Sequence, residues 1–287
     1  MLLITGATGQ LGSAVVQQLL RQQASNWAIF ARDPDKARRY TDQGIPLRLG
    51  DFDRPDTLPA SFAGVQTLLL ISSRSLDRAA QQQRVVDAAR AAGVQHIVYT
   101  GLAIRDISSS HVRNLMQSHF DTEAHIRASG VAYTFLRNTM YTDALPEIIG
   151  PAWRTQGIAL PGGQGHVPYA LRREIGEATA NLLLQGGHAG HTYDMTGATA
   201  ISYADVARTL SELTGQPVPY SDTNTSVFTS QLHAAGLPEF LIDLTVVTVL
   251  DIRANQYAVH SHALAQLLGR PPAGLRDMVQ EVFQLPG

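Results

Sequence analysis

The first half of the chain alternates short apolar runs with longer segments whose apolar residues recur at helical spacing. Near-continuous apolar strands separated by helices are typical of a parallel sheet that is covered on both faces. The predicted strands are Leu2–Thr5, Trp27–Ala31, Pro46–Leu49, Thr67–Ile71, His96–Thr100 and Ala132–Arg137. The helical segments between them include Gly12–Gln23, Asp33–Gln43 and Asp77–Ala92. We therefore expect an α/β protein with a doubly wound, Rossmann-type parallel sheet.

This alternation changes after about residue 138. The glycine-rich segment from Gly157 to Gly165 indicates a loop or tight turn. A helix over Glu174–Leu184, a strand over Thr192–Thr196 and a helix over Tyr203–Leu213 are predicted to follow. We predict a Rossmann-type domain over residues 1–137 and a smaller, mostly helical lobe over residues 138–287. No clean linker separates them, which leaves open more than one crossing of the chain between the two.

Composition narrows the class of protein. The 287 residues are 44% hydrophobic and 16% charged, as expected for a globular chain with a core, and the formal net charge is −2. That charge favours neither a nucleic acid nor an anionic membrane as the main partner. The chain has no cysteine, which excludes disulfides, thiolate catalysis and cysteine metal sites. No apolar run approaches ~18 residues and the start lacks a basic leader, so we expect a cytoplasmic protein.

A glycine motif follows the first predicted strand and opens the first helix. Residues Gly6–Gly12 read Gly-Ala-Thr-Gly-Gln-Leu-Gly. Glycines permit a tight turn and let backbone N–H groups approach a diphosphate, and the helix N-terminus adds partial positive charge. An ordinary strand-to-helix turn is the alternative. The strand before the motif and the helix after it favour dinucleotide binding through Gly6, Gly9 and Gly12.

The end of the second strand bears on the choice between NAD and NADP. An acidic residue there would bind the ribose 2′-hydroxyl of NAD, but this chain has Arg32, and Lys36 follows one helical turn later. A guanidinium matches a 2′-phosphate. We expect the neighbouring Asp33 to cap the helix that starts at Pro34. NADPH is therefore the predicted cofactor, with NADH possible but weaker; solvated surface charges are the alternative.

Other polar residues end the remaining strands, where ligands bind in such sheets. Asp51 and Phe52 could contact the adenine, or they could cap a helix and pack in the core. The small or polar residues expected to line the nicotinamide side are Ser72, Ser73, Thr100 and Gly101, and Ile71 beside them is expected to contact the cofactor.

Two familiar chemistries are not supported by the residues. Short-chain dehydrogenases use a tyrosine with a lysine four residues later, but Lys36 is the single lysine and no tyrosine has one at that spacing. Tyr133 and Arg137 have the spacing but lie in a predicted strand, where such residues stand about 13 Å apart. The histidines lack the partners that would complete a metal site, so no metal is predicted.

Several segments together resemble the NmrA-like group of atypical short-chain dehydrogenases. They are Gly6–Gly12, Arg32, the pair Ser72-Ser73, the pattern His119-x-x-Thr-Glu123, and Tyr133–Tyr141, which reads Tyr-Thr-Phe-Leu-Arg-Asn-Thr-Met-Tyr. The likeness covers nearly the whole chain. It implies a bilobal monomer or homodimer with NADPH in a cleft, and direct hydride transfer to a quinone-like or cationic dye-like acceptor.

The resemblance also implies roles for individual residues. Those expected to contact the cofactor are Thr8, Gln10, Leu11, Arg32, Lys36, Asp51, Phe52, Ser72, Ser73, Thr100 and Gly101. Arg137, Asn138 and Tyr141 would lie beside the nicotinamide, and His119, Glu123 and Arg172 would border the substrate cleft. Simpler roles remain open for them. Arg137 and Asn138 could end the strand, Tyr141 could pack in the core, and His119 could be a satisfied helix histidine with Glu123 as its partner.

The implied chemistry suits a site without the tyrosine–lysine pair. A quinone or triarylmethyl cation is strongly electrophilic, so hydride transfer depends mainly on proximity and orientation. Asn138 could bind a carbonyl oxygen, and Tyr141 or water could protonate the reduced product. The alternative function is a non-catalytic, NmrA-type regulator that binds NAD(P) as a redox sensor. A nucleotide-sugar epimerase is a weaker third reading, because it needs the missing pair.

Overall fold

A computed structural model describes residues 1–73, 75 and 77–286 of the chain. The strands in these residues are β1 (Leu2–Ile4), β2 (Trp27–Ala31), β3 (Leu47–Leu49), β4 (Thr67–Ile71), β5 (His96–Leu102), β6 (Ala132–Asn138), β7 (Ile158–Leu160), β8 (Thr192–Met195) and β9 (Tyr220–Asp222). The helices are α1 (Gln10–Arg21), α2 (Pro34–Thr41), α3 (Leu58–Phe62), α4 (Arg78–Ala91), α5 (Arg113–Ser129), α6 (Leu145–Ile149), α7 (Trp153–Gln156), α8 (Arg172–Gln185), α9 (Tyr203–Thr214), α10 (Thr225–Ala234), α11 (Glu239–Arg253), α12 (Ala263–Leu268) and α13 (Leu275–Val282).

The main sheet confirms the predicted doubly wound architecture. Among the described residues it has seven strands in the order β3-β2-β1-β4-β5-β6-β8. Strand β1 pairs in parallel with both β2 and β4, so β2 and β3 lie on one side of it and the later strands lie on the other. The strand order therefore reverses at β1. In sheets of this kind a ligand binds beyond the carboxyl ends of the strands at that reversal. The glycine motif follows β1 and therefore lies at this position.

Continuous apolar strands arise because both faces of the sheet are covered. On one face, Leu3, Phe30, Tyr99 and Phe135 belong to a buried cluster with residues of α3, α4 and α5, among them Phe62. Successive strand residues point to opposite faces, and the residues between these, including Ile4 and Leu69, are also fully buried. This two-sided burial is what the alternating pattern predicted.

The chain divides into two compact units that interleave along the sequence. The first comprises residues 1–102, 117–138 and 172–193, and the second comprises residues 103–116, 139–171 and 194–287. The predicted boundary at residue 138 is one of several crossings. Residues 172–193, which the sequence placed in the second lobe, pack with the first unit, because α8 lies against α1. A β-carbon on Gly176 would come 2.4 Å from the β-carbon of Ala14, so this close helix contact depends on glycine.

The second unit is mostly helical and contains a small parallel sheet. Strand β7 pairs with β9 in the register Ile158↔Tyr220 to Leu160↔Asp222. The prediction of a loop from Gly157 to Gly165 is therefore wrong for its first residues. The apolar tripeptide of β7 is short enough to be hidden among the glycines, and it becomes a strand only because β9 supplies the backbone partners. In the part of the chain that the structure describes, no helix has both the length and the apolarity needed to cross a membrane.

Candidate functional site

The glycine loop between β1 and α1 has the geometry that a close-approaching ligand requires. Gly6 has a φ of +63°, a conformation that favours glycine, and its carbonyl oxygen accepts a hydrogen bond from Gly9 N at 2.9 Å. A β-carbon on Gly12 would lie 2.2 Å from that same oxygen and 2.8 Å from the Ala7 α-carbon. Any larger residue at position 12 would push α1 away from the loop. The loop thus has the tight turn and the close helix contact predicted from its spacing.

The N-terminus of α1 is open for an anion. The N-cap residue is Gly9, whose lack of a side chain leaves the first N–H groups of the helix without a side-chain cap, and the first turn has no acidic residue. Gly6, Gly9 and Gln10 are exposed, whereas Ala7 and Leu11 are buried. Unsatisfied N–H groups together with the helix dipole form a site for phosphate.

Threonine hydroxyls hold the carboxyl ends of the central strands together. The Thr5 hydroxyl donates to Leu69 O and accepts from Ile71 N, both at 3.0 Å. In the same way, Thr100 Oγ1 accepts from Ser72 N at 3.0 Å. Thr100, Ser72 and Ile71 therefore all lie at the predicted edge of the sheet, and a β-carbon on Gly6 would touch Ile71 at 3.1 Å. The role of Thr5 was missed, although a threonine as the last residue of a predicted strand could have indicated it.

Arg32 and Lys36 lie at the end of β2 and on α2, where a 2′-phosphate would be recognised. Both are exposed, and the side chain of Arg32 lies 4.0 Å from the carboxylate of Asp51. The prediction that Asp33 caps α2 is confirmed, because its carboxylate accepts from Asp35 N at 2.9 Å. The Asp33 carboxylate is thereby directed towards the backbone of the helix.

Of the two residues proposed for the adenine, Phe52 has the packing contacts of the simpler alternative, whereas Asp51 stabilises a turn and does not cap a helix. Asp51 Oδ1 accepts from Asp53 N at 3.0 Å and so stabilises a turn. The ring of Phe52 stacks on Phe30 with the centroids 5.3 Å apart. Ser73, at the end of β4, donates through its hydroxyl to Gln81 at 3.0 Å. These contacts position the three residues without assigning them a ligand, and their cofactor roles stay predictions.

Glu123 and Arg137 form a buried ion pair at the carboxyl ends of β5 and β6. The Glu123 side chain is 1% exposed, and its oxygens accept from Arg137 Nε at 2.8 Å and Nη2 at 2.6 Å. Arg127 adds a longer contact of 3.4 Å. A β-carbon on Gly101 would lie 3.2 Å from a Glu123 oxygen, so glycine there makes room for the carboxylate. The partner of Glu123 is thus Arg137, not His119 as the simpler alternative proposed.

His119 is an internal hydrogen-bonding group. It is 7% exposed, and its Nδ1 lies 2.9 Å from the hydroxyl of Tyr99, which donates to Gln82 at 3.0 Å. Burial, assisted by the nearby positive charge of Arg78, lowers the pKa of His119 to about 3, so the imidazole is neutral near pH 7. Burial also raises the pKa of Tyr99. This environment is that of a satisfied helix histidine, the alternative that the sequence left open.

The remaining predicted residues are distributed between the two units. Asn138, in the first unit, is the last residue of β6, is buried, and stands opposite Leu102 in the register. Tyr141 is half-buried in the second unit and forms an isolated backbone bridge with Ala170. Arg172 begins α8 in the first unit and donates to the side chain of Gln10, at the start of α1. Within the described residues there is no cluster of three or more possible metal ligands.

Comparison with known proteins agrees with the geometry of the first unit. A model of the NmrA-like family matches residues 1–258. The chain is 33% identical to quinone oxidoreductase 2 of Escherichia coli K12 over 288 residues, covering 99% of each chain. The structure of the NADPH-dependent quinone oxidoreductase of E. coli in complex with NADPH has a TM-score of 0.92 and 32% identity, over 99% of this chain and all of that one. Triphenylmethane reductase of Citrobacter sp. in complex with NADP(H) has a TM-score of 0.90 and 32% identity, over 98% and 99%. This chain belongs to the NmrA-like family.

Proposed function

We propose that the protein is an NADPH-dependent oxidoreductase that transfers hydride to a quinone-like or cationic dye-like acceptor. The observation that carries the proposal is the geometry of the glycine loop at Gly6–Gly12, in which a β-carbon on Gly12 would lie 2.2 Å from a backbone oxygen. It occurs in a chain that is similar over nearly its whole length to two reductases with NADPH or NADP(H) bound. The same similarity favours a reductase over a non-catalytic regulator.

The residues of the first unit fit this cofactor. The N–H groups at the start of α1 would bind its diphosphate, since the N-cap glycine leaves them without a side-chain partner. Arg32 and Lys36 would bind the 2′-phosphate that distinguishes NADPH from NADH. Bound NADPH supplies the hydride from its nicotinamide ring.

The acceptor side of the reaction needs little acid–base assistance. A quinone that gains a hydride and one proton becomes a quinol, and a triarylmethyl cation that gains a hydride needs no proton at all. Lys36 is the single lysine of the chain and lies on α2, so a tyrosine–lysine pair does not supply the proton. We propose that the side chain of Asn138 hydrogen-bonds to the carbonyl oxygen of the acceptor. We also propose that Tyr141 donates the proton to the reduced product.

A binding and turnover experiment tests this function. Titration followed by NADPH fluorescence should show tighter binding of NADPH than of NADH, and the bound NADPH should reduce a simple benzoquinone and a triphenylmethane dye. Arg32→Glu should weaken the binding of NADPH by tenfold or more, which is about 1.4 kcal/mol or more in binding free energy. The affinity for NADH should change by less than about twofold. Arg21→Glu, at the opposite end of α1, is the matched control. Absence of turnover with both classes of acceptor would refute the reductase assignment.

A further inference from the structure

Helix α2 contacts the glycine loop through two neighbouring side chains. The buried Tyr40 donates its hydroxyl to the carbonyl oxygen of Ala7 at 3.1 Å. Arg39 donates through Nη2 to the carbonyl oxygen of Thr8 at 3.4 Å, and its guanidinium carbon lies 4.6 Å from the centre of the Tyr40 ring. Two consecutive carbonyls of the loop therefore accept hydrogen bonds from side chains of one helix.

Arg39 and its neighbour Arg38 have different surroundings. Arg38 forms an ion pair with Asp35 at 2.8 Å, and both side chains are largely exposed. Among the described residues, the Arg39 guanidinium contacts the uncharged Tyr40 ring and a neutral carbonyl, and the bond to that carbonyl is weak at 3.4 Å. Lys36 and Arg39 are three residues apart on α2, so they share one side of the helix. The Arg39 guanidinium can therefore leave Thr8 at little cost and turn towards an anion beside Lys36.

The charges around this position favour a further cation beside a bound phosphate. The two cations assigned to the 2′-phosphate, Arg32 and Lys36, stand close in the chain to the carboxylates of Asp33 and Asp35, and Asp51 lies 4.0 Å from Arg32. With Arg38 counted beside Asp35, three carboxylates stand against three cations, so a phosphate monoester would bring nearly two negative charges that these groups leave uncompensated. Arg38 compensates Asp35, and Arg39 is the next cation along the helix.

We propose that Arg39 is a specificity-determining residue that binds the 2′-phosphate of NADPH as a third cation, resting on Thr8 O and the Tyr40 ring when the phosphate is absent. The inference rests on the proposed NADPH function and deepens it. Tyr40 keeps the ring in place through its bond to Ala7, so Arg39 moves over a fixed surface. Arg39 then binds only the 2′-phosphate of NADPH, whereas the loop N–H groups bind the diphosphate that NADPH and NADH share.

Fragments of the cofactor separate recognition of the 2′-phosphate from recognition of the diphosphate. Adenosine 2′,5′-bisphosphate carries the 2′-phosphate and AMP does not, so their dissociation constants can be measured calorimetrically on the full chain. For Arg39→Gln we expect the bisphosphate to bind about tenfold more weakly and AMP to change by less than about twofold, the size expected for one charge-assisted phosphate contact. Arg39→Lys should recover part of the loss. Arg38→Gln removes the same charge from the neighbouring, ion-paired position and should change the bisphosphate affinity by less than about twofold.

Any of the following results would overturn the inference. Equal weakening of both ligands by Arg39→Gln would mean that Arg39 only orients the loop. Equal loss in Arg38→Gln and Arg39→Gln would mean a general charge effect. If the wild type prefers the bisphosphate and Arg39→Gln keeps that preference, the role of Arg39 fails while the proposed function stands. If the wild type binds both ligands equally, the NADPH preference fails and the role of Arg39 fails with it.

Discussion

Replacing Arg137 with methionine tests the buried ion pair of the first unit. The change removes the two donors that reach Glu123 at 2.8 and 2.6 Å while keeping a long unbranched side chain beside Phe120, whose ring centre lies 5.4 Å from the guanidinium. In the described part of the chain, the Glu123 carboxylate then keeps the 3.4 Å contact with Arg127, which is 44% exposed. A nearly fully buried carboxylate would be left with one weak, partly solvated partner.

The expected cost follows from the burial of the two side chains. Removing one partner of a buried ion pair typically costs about 3–5 kcal/mol, because the remaining charge is left uncompensated. Arg137 is 27% exposed and Arg127 stays close, so we expect a smaller loss than for a fully buried pair, about 2–3 kcal/mol. Combining Arg137→Met with Glu123→Leu removes both charges and should restore most of the stability, because apolar replacement of a whole pair is often nearly neutral.

Urea unfolding provides the assay, and the two tryptophans allow it to be read locally. Trp27 lies in the first unit and Trp153 in the second, so a Trp153→Phe background reports on the first unit by fluorescence. Far-UV circular dichroism should give the same midpoint if the transition is two-state. A loss below about 1 kcal/mol for Arg137→Met, or a double variant no more stable than the single one, would refute the reasoning.

Three further predictions concern the loop, the buried histidine and α8. Gly12→Ala should abolish binding of NADPH and NADH alike in a fluorescence titration, with an unchanged circular dichroism spectrum, because its β-carbon would lie 2.2 Å from a backbone oxygen. The pKa of His119 falls from 6.5 to about 3 on folding, so its neutral form stabilises the protein fully above pH 6.5 and that contribution is lost as pH falls towards 3. Between pH 5.5 and 4.5, the unfolding free energy of wild type should therefore fall about 1.4 kcal/mol more steeply than that of His119→Asn; parallel curves would contradict this. Arg172→Gln should weaken the binding of NADPH and of NADH by the same factor, because Arg172 contacts Gln10 at the start of α1. Arg173→Gln is the control and should change neither affinity.

Features encoded by consecutive residues were predictable. The glycine loop, its helix and the cap at Asp33 each depend on a short segment whose backbone geometry the residue types dictate. The apolar runs located β2 and β4 to the residue, because two-sided burial leaves a continuous signal. Strand β5 ran past its predicted end, since its pairing with β6 continues through Gly101↔Arg137 and Leu102↔Asn138. A glycine in that position looks like the end of a strand until the partner strand is known.

Contacts between distant segments were not predictable. The partner of His119 is Tyr99, twenty residues earlier on β5, and nothing local distinguishes this buried imidazole from one that faces a substrate. Glu123 pairs with Arg137 across a helix and a strand, although its own helix offers His119 and Arg127 at plausible spacing. In both cases the decisive quantity is the depth of the residue in the fold, which tertiary packing determines.

This difference explains why the cofactor could be predicted more sharply than the acceptor. Diphosphate recognition uses backbone N–H groups in one loop, so a motif such as Gly6–Gly12 carries almost all of the necessary information. Recognition of the acceptor depends on side chains from separate segments. Asn138 belongs to the first compact unit and Tyr141 to the second, so different sets of packing contacts orient their side chains, and no single local motif encodes both.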